Sequence, residues 1–453
     1  MKTVHVLLIL GLIGTLLACG GSSPKVTPPT QSVKISISPN TASTLVNQAT
    51  QFTATVTGAT DTSVTWSIQE ANGGTVSAGL YTAPWTLGTY HVVATSNADT
   101  TKSATATVSV SAQFAFIEEY PAGDATPFSM TPEIGTYAPD GTLTISGITD
   151  QGTGNPVSAA MENLALSPDG TKGTFDIWSP TNTDDIFVAN ADGSGSPTQL
   201  TTDGASWWPI FSADGRQIIY LKWTGATDIW AMNADGSNQH VIFAHSVDNS
   251  NAYSARFSPD GTKIVAELLW YPADPGVTYD GIAIMNADGT NAVPLTGGAS
   301  FSCQGWDENP AFTPDGTQIL FSRLCEDPNN SCNRSESIYI MNADGTNLTQ
   351  LSNSSWGVQD YDPLPVADTI VFQTNRDYLA TTAFEIYSMK ADGSAVTRLT
   401  NNAVFDGIDD WWYNGPDLCS AQDLQGRAST RLLHGAAGRA EKIRKLQQHR
   451  NAR

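Results

Sequence analysis

Between Leu166 and Thr400 one phrase recurs, and it leaves the chain little choice of architecture. One copy reads Phe312-Thr-Pro-Asp-Gly-Thr-Gln-Ile-Leu-Phe321, then, after a loop, Ile338-Tyr-Ile-Met-Asn-Ala-Asp-Gly-Thr346 and a closing Gln350-Leu351. Each copy holds two Asp-Gly turns flanked by short β-branched and aromatic runs. Asp-Gly suits a tight hairpin, because glycine accepts positive φ at no steric cost and Asp bonds the backbone just beyond itself. Two hairpins in series make a four-stranded sheet. Such sheets, repeating about every 45 residues, close into a radial ring, since closure satisfies edges that an open array leaves unpaired.

The first turn of the phrase contains Asp169, Asp214, Asp260 and Asp315, which lie 45, 46 and 55 residues apart. The second contains Asp192, Asp235, Asp288, Asp344 and Asp392, each followed by glycine. A degraded first turn stands at Val366-Ala-Asp368, and Ala138-Pro-Asp-Gly141 reads as the first turn of a weaker, earlier unit. The count is six, with five or seven as the alternatives. Closure brings the two ends of the array together, and Phe114-Ala-Phe-Ile-Glu118 and Asp410-Trp-Trp-Tyr413 are the candidates to meet. These phrases resemble those of the TolB-type propeller, aromatic-Ser-Pro-Asp-Gly and Ile-Tyr-x-Met-Asn-Ala-Asp-Gly. The resemblance implies a six-bladed β-propeller over residues 112–415.

Upstream, residues 32–111 alternate apolar and polar in short runs such as Val33-Lys-Ile-Ser-Ile-Ser-Pro39, Val64-Thr-Trp-Ser-Ile68 and Ala104-Thr-Ala-Thr-Val-Ser-Val110. Half-buried strands at this rhythm make a small β-sandwich, with Trp66 as the expected core plug. With the Gly79-Leu-Tyr-Thr-Ala-Pro84 turn, the run resembles bacterial Ig-like domains, which implies a spacer or adhesion module. The expected fold class is therefore all-β, an Ig-like sandwich followed by a six-bladed propeller. Residues 1–18 have a basic n-region at Lys2 and an apolar run from Val6 to Leu17, as signal peptides do. The run ends Leu16-Leu-Ala-Cys19, which resembles the lipobox of bacterial lipoproteins and implies a lipid on Cys19. Residues 19–31 form a Gly/Ser/Pro tether. The expectation is a chain anchored at the bacterial cell envelope, most readily the outer membrane.

The formal charge of −22, from 44 acidic and 22 basic residues, argues against nucleic acid as a partner, because an acidic surface repels phosphate. The Asp-Gly turns are read as turn chemistry, all on one face of the ring. Function is sought on the other face, where the connections are long and varied. Candidates there are Trp207, Trp208, Trp223, Trp270, Tyr271, Trp306, Asp307, Glu308, Arg323, Asp360, Asp362, Arg376 and Trp411. Aromatics among carboxylates suit stacking on sugars or binding the basic groups of a protein. The pattern contains no G-x-S-x-G, no H-E-x-x-H and no phosphate-binding glycine loop. No cofactor and no metal set is read from it.

The leading function is thus a non-catalytic scaffold for an envelope protein or glycan. The alternative is a carbohydrate lyase or hydrolase, with or without a divalent cation, using Asp307, Glu308, Asp360 and Asp362. In an oxidising compartment, Cys325 and Cys332 form the simplest loop disulfide, with Cys303 and Cys419 left over. After residue 415 composition changes abruptly, and residues 416–453 carry about a third of all Lys and Arg. That tail is expected to be disordered, a short basic helix, or the product of a shifted reading frame.

Overall fold

The computed structural model describes residues 32–120, 129–147, 161–178, 184–244, 251–270, 279–297, 304–327, 330–377, 384–401 and 405–407. Their regular structure is all strand. No helix among the described residues is long and apolar enough to cross a membrane.

Five consecutive four-stranded sheets carry the repeated phrase, each meandering from an innermost strand a to an outermost strand d. Their inner strands are Met161–Leu166, Ser206–Phe211, Asn251–Phe257, Gln304–Phe312 and Asp360–Val366, for blades 1 to 5. In blades 1 to 4 the first Asp-Gly turn joins a to b, and in blades 1 to 5 the second joins c to d.

Blade 6 is composite. Its inner strand is Phe405–Gly407, which pairs with Ile117, Glu118 and Glu119 of the strand Ser103–Tyr120. Ser129–Tyr137 and Leu143–Gly147 complete the sheet. The expected closing segment at 114–118 therefore does meet the C-terminal end of the array, through Phe405–Gly407; Asp410 to Tyr413 lie outside the described residues. One expectation is corrected. Ala138-Pro-Asp-Gly141 joins strands c and d, not a and b, because the chain enters the ring at strand b.

Each of the six junctions between blades is filled by an apolar cluster. Phe175, Ile117 and Met161 fill the junction of blades 6 and 1, and Ile186, Phe211 and Tyr220 that of blades 1 and 2. Blades 4 and 5 meet through Leu320, Ile338 and Phe372, blades 5 and 6 through Phe114, Tyr137 and Val371. Opposed aromatics on strands b and c recur at the same register position: Phe175 with Phe187, Tyr220 with Trp230, Phe321 with Tyr339, Phe372 with Tyr387. Blade 3 has Ala266 opposite Ala283 at that position.

The turn aspartates bond within their own turns. Asp260 accepts from the Ser258 and Thr262 hydroxyls and the Thr262 N–H; Asp288 accepts the same two kinds of bond from Thr290. The glycines also set the spacing of the blades. A Cβ on Gly289, where φ is 79°, would stand 1.8 Å from the Ile242 carbonyl oxygen of the preceding blade.

The N-terminal domain packs its sheets around Phe52, Tyr81, Val92, Ala106, Val108 and Val110. Phe52 and Tyr81 meet edge to face, with centroids 6.5 Å apart, at the middle of that core. Trp66, expected to be the plug, is only partly buried and flanks it. No linker separates this domain from the ring. The strand Ser103–Tyr120 pairs with Gly88–Ser96 through Val110 and with Ser129–Tyr137 from Ala112 onward. The boundary expected between residues 111 and 112 thus falls inside a continuous strand.

Candidate functional site

Strand a of each blade starts on the face carrying the b–c and d–a connections, here the loop face. Near this end every inner strand of blades 1 to 5 bears a β-bulge. In four of them a non-glycine residue takes positive φ: Asn163, Trp208, Asn309 and Asp362. Bulges re-aim side chains, and positive φ in a residue as large as Trp208 persists only when its surroundings hold it.

What holds these residues is a belt of buried polar groups. Asp176, on strand b of blade 1, accepts from Asn163 Nδ2 at 2.8 Å and from the Trp208 N–H of blade 2 at 3.1 Å. Glu267 of blade 3 accepts from the Asn309 N–H of blade 4 at 3.4 Å. Asn309 Nδ2 in turn donates to Asp362 of blade 5, which also accepts from Gln373 Nε2. The belt runs across blade junctions and is buried throughout. Asn163, Asp176, Glu267 and Gln373 are not among the candidates that the sequence offers. The available signal was an acid within an apolar run, as in Thr174-Phe-Asp-Ile177 and Val265-Ala-Glu-Leu268.

Two candidate carboxylates are ion-paired. Asp307 and Arg323 are direct cross-strand partners, with Nε to Oδ1 at 2.6 Å and Nη2 to Oδ2 at 2.9 Å. The guanidinium also lies 4.9 Å from the Tyr339 ring and 5.7 Å from that of Phe321. Both charges are buried, so the bidentate geometry and the rings replace the lost hydration. Arg376 repeats the device in blade 5, bonding Asp360 at 2.7 Å over Phe372 and Tyr387. Blade 2 uses Lys222, 2.7 Å from Asp203 and 4.5 Å from the Trp230 ring. Asp185, at the start of strand c in blade 1, has its carboxyl pushed up by burial, partly offset by the Gly204 N–H and the Thr201 hydroxyl.

The aromatic candidates divide. Trp306 is half-buried and its Nε1 donates to Glu308. Trp223 is partly buried. Trp207 and Trp208 do not line an open mouth: they are 4% and 1% exposed, packed between blades 2 and 3. The reason lies in blade 3, where Ala266 and Ala283 replace the aromatic pair found in four other blades; the two tryptophans belong to the same cluster as those alanines. Trp356, in the connection to blade 5, is 46% exposed. Tyr271, Trp411 and the side chain of Trp270 lie outside the described residues, as do Cys19, Cys303, Cys419 and the side chain of Cys332. Cys325 is disulfide-bonded. Among the described residues no three His, Cys, Asp or Glu side chains form a group fit to hold a metal ion.

Fold and site together define a six-bladed β-propeller whose loop face is built on buried, bonded carboxylates. No protein-family model matches the chain. The uncharacterized protein Atu1656 of Agrobacterium fabrum is 32% identical over 167 residues, 35% of this chain and 53% of that protein. The chain thus spans about half the length of this curated relative. Among solved structures, one from Agrobacterium tumefaciens named as TolB aligns with 17% identity and a TM-score of 0.38, covering 53% of this chain and 88% of that one. Oligogalacturonate lyase from Vibrio parahaemolyticus aligns with 13% identity and a TM-score of 0.40, covering 63% and 72%.

Proposed function

We propose that this chain is a lipid-anchored propeller of the bacterial cell envelope that binds a protein or glycan at its loop face without acting on it chemically. One observation carries the reading. Asp307, Glu308, Asp360 and Asp362 each accept a hydrogen bond from another side chain of the fold. A general acid or nucleophile must also reach the reacting atom, and Asp307, Asp360 and Asp362 are buried beneath the loop face. A recognition surface gains instead from groups already held still, because less freedom is lost on binding. Trp223, Trp306 and Trp356 supply rings for the apolar face of a sugar or an aliphatic stem. The acidic setting favours ligands rich in donors, such as glycan hydroxyls or the Lys and Arg side chains of a protein. The lipid on Cys19 and the tether at 19–31 would keep the ring near its membrane, with the Ig-like domain between.

The test is capture by the immobilised mature protein, presented with a glycan array and with solubilised envelope proteins. Replacing Trp306 and Trp356 by Ala should weaken capture at least about tenfold while the thermal transition stays in place. Undiminished capture by that variant would remove the loop face from consideration. Cleavage of a polysaccharide by the purified chain would end the non-catalytic reading.

A further inference from the structure

The ring closes by joining opposite ends of the array, Phe405–Gly407 pairing with Ile117, Glu118 and Glu119. The inner strands of blades 1 to 5 each run straight into their own strand b. The closing strand instead arrives from the far end of the array, so loop-closure entropy opposes it.

The N-terminal domain lies against a second part of the closing seam, the junction of blade 5 with the strand Ser103–Tyr120 that the early part of the chain gives to blade 6. Val46 packs on two clusters at once: the domain's own core, and the cluster of Phe114, Phe116, Tyr137, Val366 and Ala367 that joins blades 5 and 6. Leu87 packs on the seam cluster as well. Leu45 reaches blade 1: a Cβ on Gly170, in its first turn, would stand 2.9 Å from Leu45 Cδ1. One domain therefore touches blades 5, 6 and 1 together.

The repeat itself records the contact. Blades 1 to 4 keep Ser or Thr, then x-Asp-Gly, in the first turn, with the Asp exposed. Blade 5 has Val366-Ala-Asp368, with Val366 and Ala367 buried. Two apolar residues suit a turn that is covered, and they cost solubility in one that faces water.

We propose that the N-terminal domain is the clasp of the ring. Its Leu45, Val46 and Leu87 form a surface whose partner is the closing seam, and Val366-Ala367 is the seat that the degraded repeat marks. The domain's role is then to keep blade 6 shut, in addition to any part it plays as a spacer.

Hydrogen exchange read by mass spectrometry on the full mature chain tests this. In a Val46→Asp/Leu87→Asp variant, exchange should rise about tenfold or more in peptides covering 112–120, 129–137, 363–372 and 405–407. Peptides covering 217–233 and 263–270, in blades 2 and 3, should keep their protection. Leu80→Asp, at an exposed site of the same domain, should leave the seam unchanged. If the double aspartate variant fails to fold, Val46→Ala/Leu87→Ala is measured against the same pattern. Unchanged protection at the seam, or an even rise over all six blades, overturns the proposal.

Discussion

The two faces of the ring use the same side chain in opposite ways. On the turn face each aspartate bonds within two residues of itself, in the open, so its geometry is settled by a few residues of sequence. On the loop face Asp176, Asp307, Asp360 and Asp362 are buried and bond to other strands or other blades. A local bond survives whatever the rest of the chain does. A long-range bond exists only once the ring has formed, and then helps to fix how adjacent blades meet. Conspicuous carboxylates can thus be inert punctuation, while inconspicuous ones hold the loop face together.

The sharpest way to break this comparison is to strand a loop-face charge. Arg323→Leu leaves Asp307 buried without its cation and should cost roughly 3–5 kcal/mol in urea unfolding. Adding Asp307→Leu should recover much of that loss, since a buried pair replaced as a unit is often close to neutral. A loss below about 1 kcal/mol for the single change would put the pair among ordinary surface bridges.

The turn face offers a finer contrast between two glycines in left-handed backbone. Gly261, with φ of 70°, has open space where a Cβ would go, whereas Gly289 has the Ile242 carbonyl at 1.8 Å. Gly261→Ala should cost about 1 kcal/mol from backbone strain alone. Gly289→Ala adds displacement of the neighbouring blade, typically about 1–3 kcal/mol more. Equal losses in thermal unfolding would show that the second turns do not set the spacing of the blades.

The smallest effect is acid sensitivity. Ser and Thr hydroxyls, then backbone N–H groups, hold the carboxyls of Asp214, Asp235, Asp260 and Asp288 below the ordinary 3.8. Such groups stabilise the fold fully above that value, and the contribution is lost as pH falls through their depressed pKa values. Asp185 has the opposite sign, since burial raises its carboxyl and its cost shrinks as the group gains a proton. Changing the four turn aspartates to Asn should flatten the fall in melting temperature between about pH 4 and pH 2. Asp185→Asn should leave that fall in place. Retention of the full fall by the fourfold variant would show that acid acts elsewhere.

Much of the architecture was legible because it rests on local rules. Asp-Gly spacing marks hairpins, and five spaced copies mark blades. The site was less legible because bulges shift a strand by one residue, and alternation counted along the chain misses that shift. Trp207 and Trp208 read as a mouth because the compensating Ala266 and Ala283 stand far away in sequence, in the next blade. Asp307 and Arg323 read as separate ligand contacts along the chain; their pairing is a matter of register across the bulged hairpin. Ala138-Pro-Asp-Gly141 misled because its spelling matches a first turn while its place is that of a second.

The strand Ser103–Tyr120 carries one further consequence, for how such a gene can be rearranged. Domains are usually exchanged by crossing over in a linker, where few contacts are cut. A crossover at the 111–112 boundary would instead cut one strand into two short pieces. The recipient of the propeller half would then begin, at the chain's own end, with the segment that must both complete blade 6 and accept Phe405–Gly407. The two halves of this protein are therefore expected to travel through evolution as a single unit.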